Sequence, residues 1–526
     1  MAAMSPKDMK ITYTSSQADL VAFHRYFDEA LEAFEGRLGA TYPMFIGGEP
    51  VWVEGPTLAD VSPIDTAKVL GHFQLATVEH VERAVAAAKA AKKAWGATPW
   101  EERVAVLRRA AEIIRERKFD LAALMAWEVG KNRLEAMGDV EESADLIDYY
   151  ADQMVGHAGY VTEMNRITPI ERNTDVLRPY GVFAVIAPFN FPAALLTGMS
   201  AAALLAGNTV ILKPAQDAPW TGLEIYRAYA DAGIPGGVIN FVTGKGSAIG
   251  DPLTLHPDVD GVVFTGSKDV GMRIFHQMST RWIKPCLLEL GGKNPVLVMP
   301  SADLDAAAEG VMRSCFGLQN QKCSATSRVY VHQDVAAEFT RLLVAKTQAI
   351  AIGNPVREGV WFGPVINGAA VKKYERAVEA ARAEGEILVG GERLTAGELA
   401  RGHFVSPCVA RVPHDSWLMH EEHFVPFLGI AEVASLDEAL AKANDAEYGL
   451  TAGFFSGDEG EIARFFDEIE AGVTYCNKRS GATTGAWPGA QPFTGWKGSG
   501  GSGKGGCGPY YVAQFMREQS RTRIVG

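Results

Sequence analysis

From Gly181 onward the chain switches repeatedly between short apolar runs of β type and longer runs of helical periodicity. The β-type segments fall at 182–187, 209–212, 237–242 and 261–264, with helical segments at 193–205 and 221–232 among them. Strands joined through helices of this length close into a parallel sheet by right-handed crossovers. Such a sheet offers ligands the carboxyl ends of its strands. A second alternating set begins near Asn294, with β-type runs at 328–331, 425–432 and 472–476 and a helical run at 335–351. Two α/β units are therefore expected.

The flanking segments are less regular. Residues 17–36 space their apolar positions as a helix does, ahead of a strand-like stretch at 42–53. Helices are expected over 78–97, 100–129 and 139–150, and turn-and-strand structure over 162–177. Near the C-terminus Gly498, Gly500, Gly501, Gly503, Gly505, Gly506 and Gly508 crowd together. Apolar residues return at 510–516, which points to a tail docked on another element rather than a free linker.

The formal charge of −13 comes without any Lys/Arg-rich block, which argues against nucleic-acid and anionic-membrane partners. No apolar run approaches the ~18 residues of a membrane helix, and residues 1–10 lack the apolar core of a secretory signal. The six cysteines, Cys286, Cys315, Cys323, Cys408, Cys476 and Cys507, form no CxxC pair. That usage suits a reducing compartment and gives no sign of a metal site. A cytoplasmic location is expected.

Cys323 stands in Gly317-Leu318-Gln319-Asn320-Gln321-Lys322-Cys323-Ser324-Ala325, 34 positions after Glu289 in Leu288-Glu289-Leu290-Gly291-Gly292-Lys293. A lone cysteine in an apolar segment is usually core, and a lone glutamate is usually solvated. Together they suggest a thiol nucleophile that makes a covalent adduct and a carboxylate that activates the water releasing it. Further runs accompany them: Ala187-Pro188-Phe189-Asn190-Phe191-Pro192, Leu212-Lys213-Pro214-Ala215, Phe264-Thr265-Gly266-Ser267, Glu421-Glu422-His423-Phe424 and Pro492-Phe493-Thr494-Gly495-Trp496-Lys497. In this order the runs strongly resemble the aldehyde dehydrogenase superfamily, from about Tyr42 to the C-terminus.

The resemblance implies an α/β fold with a Rossmann-like parallel-sheet cofactor domain, a second α/β catalytic domain and a small β oligomerisation flap. It implies an N-terminal arm over 1–50, a dinucleotide-binding domain over 51–159 and 178–290, oligomerisation segments at 160–177 and 487–526, and a catalytic domain over 291–486. Cys323 would be the nucleophile, Glu289 the base for hydrolysis, and the Asn190 amide the oxyanion donor together with the Cys323 backbone N–H. Asn190 ahead of Phe191-Pro192 also fits an ordinary turn. The expected cofactor is NAD, held by Lys213, Gln216, the Gly266–Gly271 loop with Ser267, Glu422 and Phe424. Relatives that prefer NAD often carry Glu where Gln216 stands. A neutral side chain there does not repel a 2′-phosphate, so NADP use stays open. Gly244, Gly246 and Gly250 lack the GxGxxG spacing and read equally as turn residues.

Within the superfamily the chain is most similar to the branch that oxidises L-glutamate γ-semialdehyde, the 1-pyrroline-5-carboxylate dehydrogenases. Phe316-Gly317, Gln321 to Ala325, Ser480-Gly481-Ala482 and Gly508-Pro509-Tyr510-Tyr511 carry that likeness. It implies that Ser324 and the backbone amides of Gly481 and Ala482 hold the substrate carboxylate, that Lys322 adds positive charge beside Cys323, and that Glu142 faces the substrate amino group. Glu142 reads equally as an exposed helix glutamate. Asn320 and Thr494 stand where relatives often carry Gly, and His423 and Val425 where Ile and Gly are common. The implied partners are a small aldehyde, further copies of the chain in a homodimer or higher assembly, and a separate proline dehydrogenase. The same chemistry on another semialdehyde, or on an aromatic or aliphatic aldehyde, is the alternative. A non-catalytic protein of this fold is the second.

Overall fold

The computed structural model describes residues 9–10, 20–480 and 487–525. Its first seven-stranded sheet runs in the order Cys286–Glu289, Gly261–Thr265, Val182–Ile186, Thr209–Lys213, Ile239–Phe241, Met44–Ile46, Glu49–Val51. The first five strands are mutually parallel, and the last two extend the edge as an antiparallel pair. Because side chains alternate across a strand, Phe183 and Val185 pack toward Leu204 and Leu223 on one face. Val182 and Ala184 pack toward Val81, Val85 and Ala88 of the helix Val78–Ala97 on the other. Covering both faces explains why these strands read as unbroken apolar runs.

The second seven-stranded sheet runs Glu386–Val389, Cys408–Arg411, Phe427–Val433, Thr326–His332, Asn294–Val298, Thr451–Phe455, Val473–Cys476. Only the Glu386–Val389 edge is antiparallel. Val296, Val298, Val329 and Val331 face Val311, Phe339 and Leu343, whereas Leu297 and Tyr330 face Tyr374, Ala439 and Leu440. Val161–Met164, Glu171–Pro179 and Met516–Ile524 form a separate three-stranded antiparallel flap, in register from Met516 opposite Pro179 to Ile524 opposite Glu171. The tail thus docks as its apolar residues indicate, with Val512 and Phe515 fully buried.

Several local expectations need correction. The 100–129 helix divides at Arg117 into Trp100–Glu116 and Lys118–Val129. The 42–53 strand is three short ones, Ala40–Tyr42, Met44–Ile46 and Glu49–Val51, the first of which belongs to a small sheet with Leu58–Val61 and Val69–Phe73. Gly246 and Gly250 lie within a helix, Gly246–Thr254. The presumed loop from Gly266 to Gly271 is a two-residue turn followed by the helix Lys268–Gln277. Gly271 is needed there for packing: a Cβ would stand 2.4 Å from Leu290 Cδ2. Among the described residues no helix is long and apolar enough to cross a membrane.

Candidate active site

In the first sheet the strand order reverses between Val182–Ile186 and Gly261–Thr265, a topological switch point whose carboxyl ends open a crevice. The Asn190 loop leaves one of these strands and the Gly266-Ser267 turn leaves the other. Glu289 closes the next strand, in register with Thr265. Cys323 sits in the turn that enters Thr326–His332 of the second sheet. The two sheets bring Glu289 and Cys323 to one cavity of about 100 Å³, whose walls also include Glu142, Tyr150, Ser324 and Cys507. A roomier hollow of about 500 Å³ lies elsewhere, between Lys68, Trp127, Arg357 and Arg401. Among the described residues no cysteine lines it, so the chemistry and not the size marks the site.

The Cys323 turn is rigidly held. Asn294 Nδ2 donates to the carbonyls of Cys323 and Ala325, both at 2.8 Å, while its Oδ1 accepts from the Thr451 N–H at 2.9 Å. A Cβ on Gly292 would lie 2.5 Å from the Cys323 carbonyl oxygen, so only glycine permits that approach. Leu318, Gln319 and Asn320 take left-handed φ values of 46°, 55° and 60°. Asn tolerates this region better than most residues, which accounts for Asn320 in place of Gly. Its amide also donates to the Cys315 and Thr326 carbonyls, both at 2.9 Å. Asn294→Ala should strip two buried carbonyls of their donor, costing ~1–3 kcal/mol of stability and misaligning the thiol. Chemical denaturation and the rate of Cys323 alkylation measure the two effects.

Burial pushes the Cys323 thiol well above its usual range, and the Glu422 and Glu289 carboxylates add to the shift. Burial likewise raises the Glu289 carboxyl well above the carboxylate range, and Glu289 Oε2 has no hydrogen-bond partner. Both groups must lose a proton to act, so a rise in pH favours both. Alkylation of Cys323 by iodoacetamide in the cofactor-free protein should therefore keep accelerating above pH ~9.5, where an ordinary thiol of pKa ~8.5 has levelled off. A plateau at or below that pH would show an unperturbed thiol.

Asn190 is buried, and its Oδ1 lacks a partner. It does not itself line the cavity, whereas its neighbour Phe191 does. A fully buried ion pair steadies this segment: Lys131 Nζ meets Asp139 Oδ2 at 2.7 Å and lies 3.9 Å from the Phe191 ring centroid. Asp139 Oδ1 also accepts the Ala194 N–H at 2.7 Å, at the start of the helix Ala194–Leu205.

On the cofactor side, Lys213 ends its strand buried, with only a long 3.4 Å contact to the Pro214 carbonyl, and burial lowers its pKa to about 8. Gln216 is exposed. The Gly266 N–H donates to the Glu289 carbonyl at 3.1 Å. Ser267 is exposed at the N-terminal cap of Lys268–Gln277, and its hydroxyl makes no capping bond. Free N–H groups at a helix start and an uncompensated buried ammonium suit a dinucleotide's phosphates and hydroxyls, so these residues fit the expected group. Glu422 Oε1 accepts the Gly292 N–H at 3.0 Å, and burial raises its carboxyl to about 7. Phe424, at φ 57°, meets Phe189 edge-on with centroids 6.0 Å apart. His423 turns inward, its Nε2 3.2 Å from the Leu418 carbonyl.

Of the substrate-side residues, Glu142 and Ser324 line the cavity. Lys322 is buried, 3.9 Å from Glu135 Oε1, and is not part of the lining. Gly481 and Ala482 lie outside the described residues. Sequence reasoning missed Tyr150 and Cys507. The Tyr150 hydroxyl accepts the Cys507 N–H at 3.0 Å, and its ring stacks on Tyr511 at 5.3 Å, fastening the glycine-rich tail over the cavity. Glu142, Leu146 and Tyr150 share one face of Arg133–Gly156 at four-residue spacing, a signal that was present in the helical pattern.

The aldehyde dehydrogenase family pattern matches residues 52–520, and the chain belongs to that family. It is 37% identical over 505 residues to a 1-pyrroline-5-carboxylate dehydrogenase of Bacillus cytotoxicus, covering 95% of this chain and 96% of the relative. The crystal structure of 1-pyrroline-5-carboxylate dehydrogenase from Thermus with bound NAD superposes with a TM-score of 0.93 at 34% identity, over 100% of both chains. Proline utilization A from Bdellovibrio bacteriovorus gives a TM-score of 0.92 at 34% identity, over 99% of this chain and 54% of that one.

Proposed function

We propose that the protein oxidises L-glutamate γ-semialdehyde, the open form of 1-pyrroline-5-carboxylate, to L-glutamate. The observation that carries this reading is the meeting of Cys323 and Glu289 in one cavity that Glu142 and Ser324 also line. Full-length likeness to 1-pyrroline-5-carboxylate dehydrogenases supports the choice of aldehyde.

The Cys323 thiolate adds to the aldehyde carbon, and the resulting oxyanion takes hydrogen bonds from the Asn190 amide and the Cys323 N–H. NAD supplies the hydride acceptor. Lys213, Gln216, Gly266, Ser267, Gly271, Glu422 and Phe424 are the residues that would hold it. Oxidation leaves the acyl group on Cys323 as a thioester. Glu289 then takes a proton from water, the hydroxide adds to the acyl carbon, and the thiolate leaves with L-glutamate released. Glu142 receives the substrate ammonium, and Ser324, with Gly481 and Ala482, receives its carboxylate. Lys322 contributes positive potential from behind the turn.

Initial rates across a panel of aldehydes test the substrate: kcat/KM should be highest for the semialdehyde. Equal or better rates with aliphatic or aromatic aldehydes would leave the family chemistry in place and remove the specificity. Gln216→Glu should lower kcat/KM with NADP by ~10-fold or more through repulsion of the 2′-phosphate, with little change for NAD.

The flap leaves Val161, Met164, Ile167, Ile170 and Ile524 exposed, apolar surface suited to joining copies of the chain into a homodimer or larger assembly. Light scattering checks this, with a monomer as the contrary result. Six free cysteines support work in the reducing cytoplasm. The match to about half of a proline utilization A chain supports proline dehydrogenase as the pathway partner.

A further inference from the structure

Away from the active site, one nitrogen each of His414 and His420 and one carboxylate oxygen of Asp445 lie within 4.8 Å of one another. The two histidines flank the short turn Trp417–Met419, and Asp445 caps the C-terminal end of the helix Leu436–Asn444. Their spacing in sequence follows no metal-binding pattern, and the cysteines that argued against a metal are not involved.

Three features suit a cation. His414 Nε2 stands 3.3 Å from Asp445 Oδ2. That is long for a charge-assisted hydrogen bond, but it is the edge between two ligands of a tetrahedral ion with bonds of ~2.0–2.1 Å. Each imidazole is also oriented through a polar partner, as metal-bound histidines are. His414 Nδ1 meets the Tyr330 hydroxyl at 2.9 Å, and His420 Nε2 donates to the His414 carbonyl at 2.7 Å, which leaves the lone pair on His420 Nδ1. Finally, the nearby cations are already engaged. Lys442 pairs with Glu438 at 2.7 Å, and Arg328 is spread over the Tyr330 hydroxyl and the Met419, Lys442 and Ala443 carbonyls.

We propose that His414, His420 and Asp445 bind a divalent transition ion of the zinc class, with water completing its coordination. Because His420 directly precedes Glu421 and Glu422, the ion ties that segment to the helix Leu436–Asn444. The site is independent of the proposed aldehyde chemistry.

Zinc binding by full-length protein carrying Cys323→Ala, which removes the competing active-site thiol, tests the site by equilibrium dialysis. One zinc per chain is expected, with affinity falling ~10-fold or more in His414→Ala and Asp445→Asn. Cobalt in the same protein should show tetrahedral d–d bands without sulfur charge transfer, and zinc should raise Tm only where all three ligands are intact. His420→Gln repeats the test should His414→Ala fail to fold. No zinc bound by the Cys323→Ala protein, or equal affinity in the folded ligand variants, overturns the proposal.

Discussion

Cys323→Ala should abolish aldehyde oxidation, with kcat falling ~10⁴-fold or more, while binding of NAD persists. Alanine fills the turn without disturbing its supports, because the Asn294 and Gly292 contacts all run to the Cys323 backbone. The loss therefore reports the sulfur itself. Cys323→Ser keeps a hydroxyl, but a serine hydroxyl is far less acidic than a thiol, so this variant should be nearly as inactive. NADH formation under saturating semialdehyde gives the first quantity and quenching of protein fluorescence by NAD the second. Substantial turnover in either variant would remove Cys323 from the chemistry.

The second large effect falls on Glu289. Glu289→Gln should leave the first oxidation almost intact and slow release of the acid by ~10²–10⁴-fold. The signature is a burst of NADH equal to the enzyme present, followed by a nearly flat steady state. Burial holds the Glu289 carboxyl above the usual carboxylate range, and its ionised form is the active one. The wild-type steady-state rate should therefore rise with pH through a limb displaced upward from an ordinary glutamate, and the Gln variant should lose that limb. The sign is opposite for stability. A carboxyl whose folded pKa is raised binds its proton more tightly in the folded state, so its contribution is greatest at low pH and declines as pH climbs through the folded pKa. A Gln variant that hydrolyses at the wild-type rate would assign the base elsewhere.

The alternating sheets, the Cys323 and Glu289 runs and the cofactor turn were legible in the sequence because each is local. A strand, a helix and a motif are written in neighbouring residues. What escaped is made of contacts between distant segments. Asn294 reaches Cys323 and Thr451 at once, Tyr150 accepts from Cys507 far down the chain, and Lys131 with Asp139 supports the Asn190 loop. Each is an ordinary polar residue until the fold supplies its partner. The Gly266–Gly271 segment shows a different failure. Its glycines suggested a loop, yet Gly271 serves the close packing of a helix on Leu290. Lys322 differs again: adjacency in sequence put its charge near Cys323, and the fold adds that the same ammonium lies 3.9 Å from Glu135, which no local pattern announces.

All of this rests on Cys323 and Glu289 acting in turn on one acyl group inside the same cavity. The most direct measurement is the mass of the Glu289→Gln protein, and of its Cys323 peptide, seconds after mixing with NAD and the semialdehyde. A stable acyl adduct on Cys323, matched mole for mole by NADH, is the expected result. NADH formed with no adduct, or with the adduct on another residue, would contradict it.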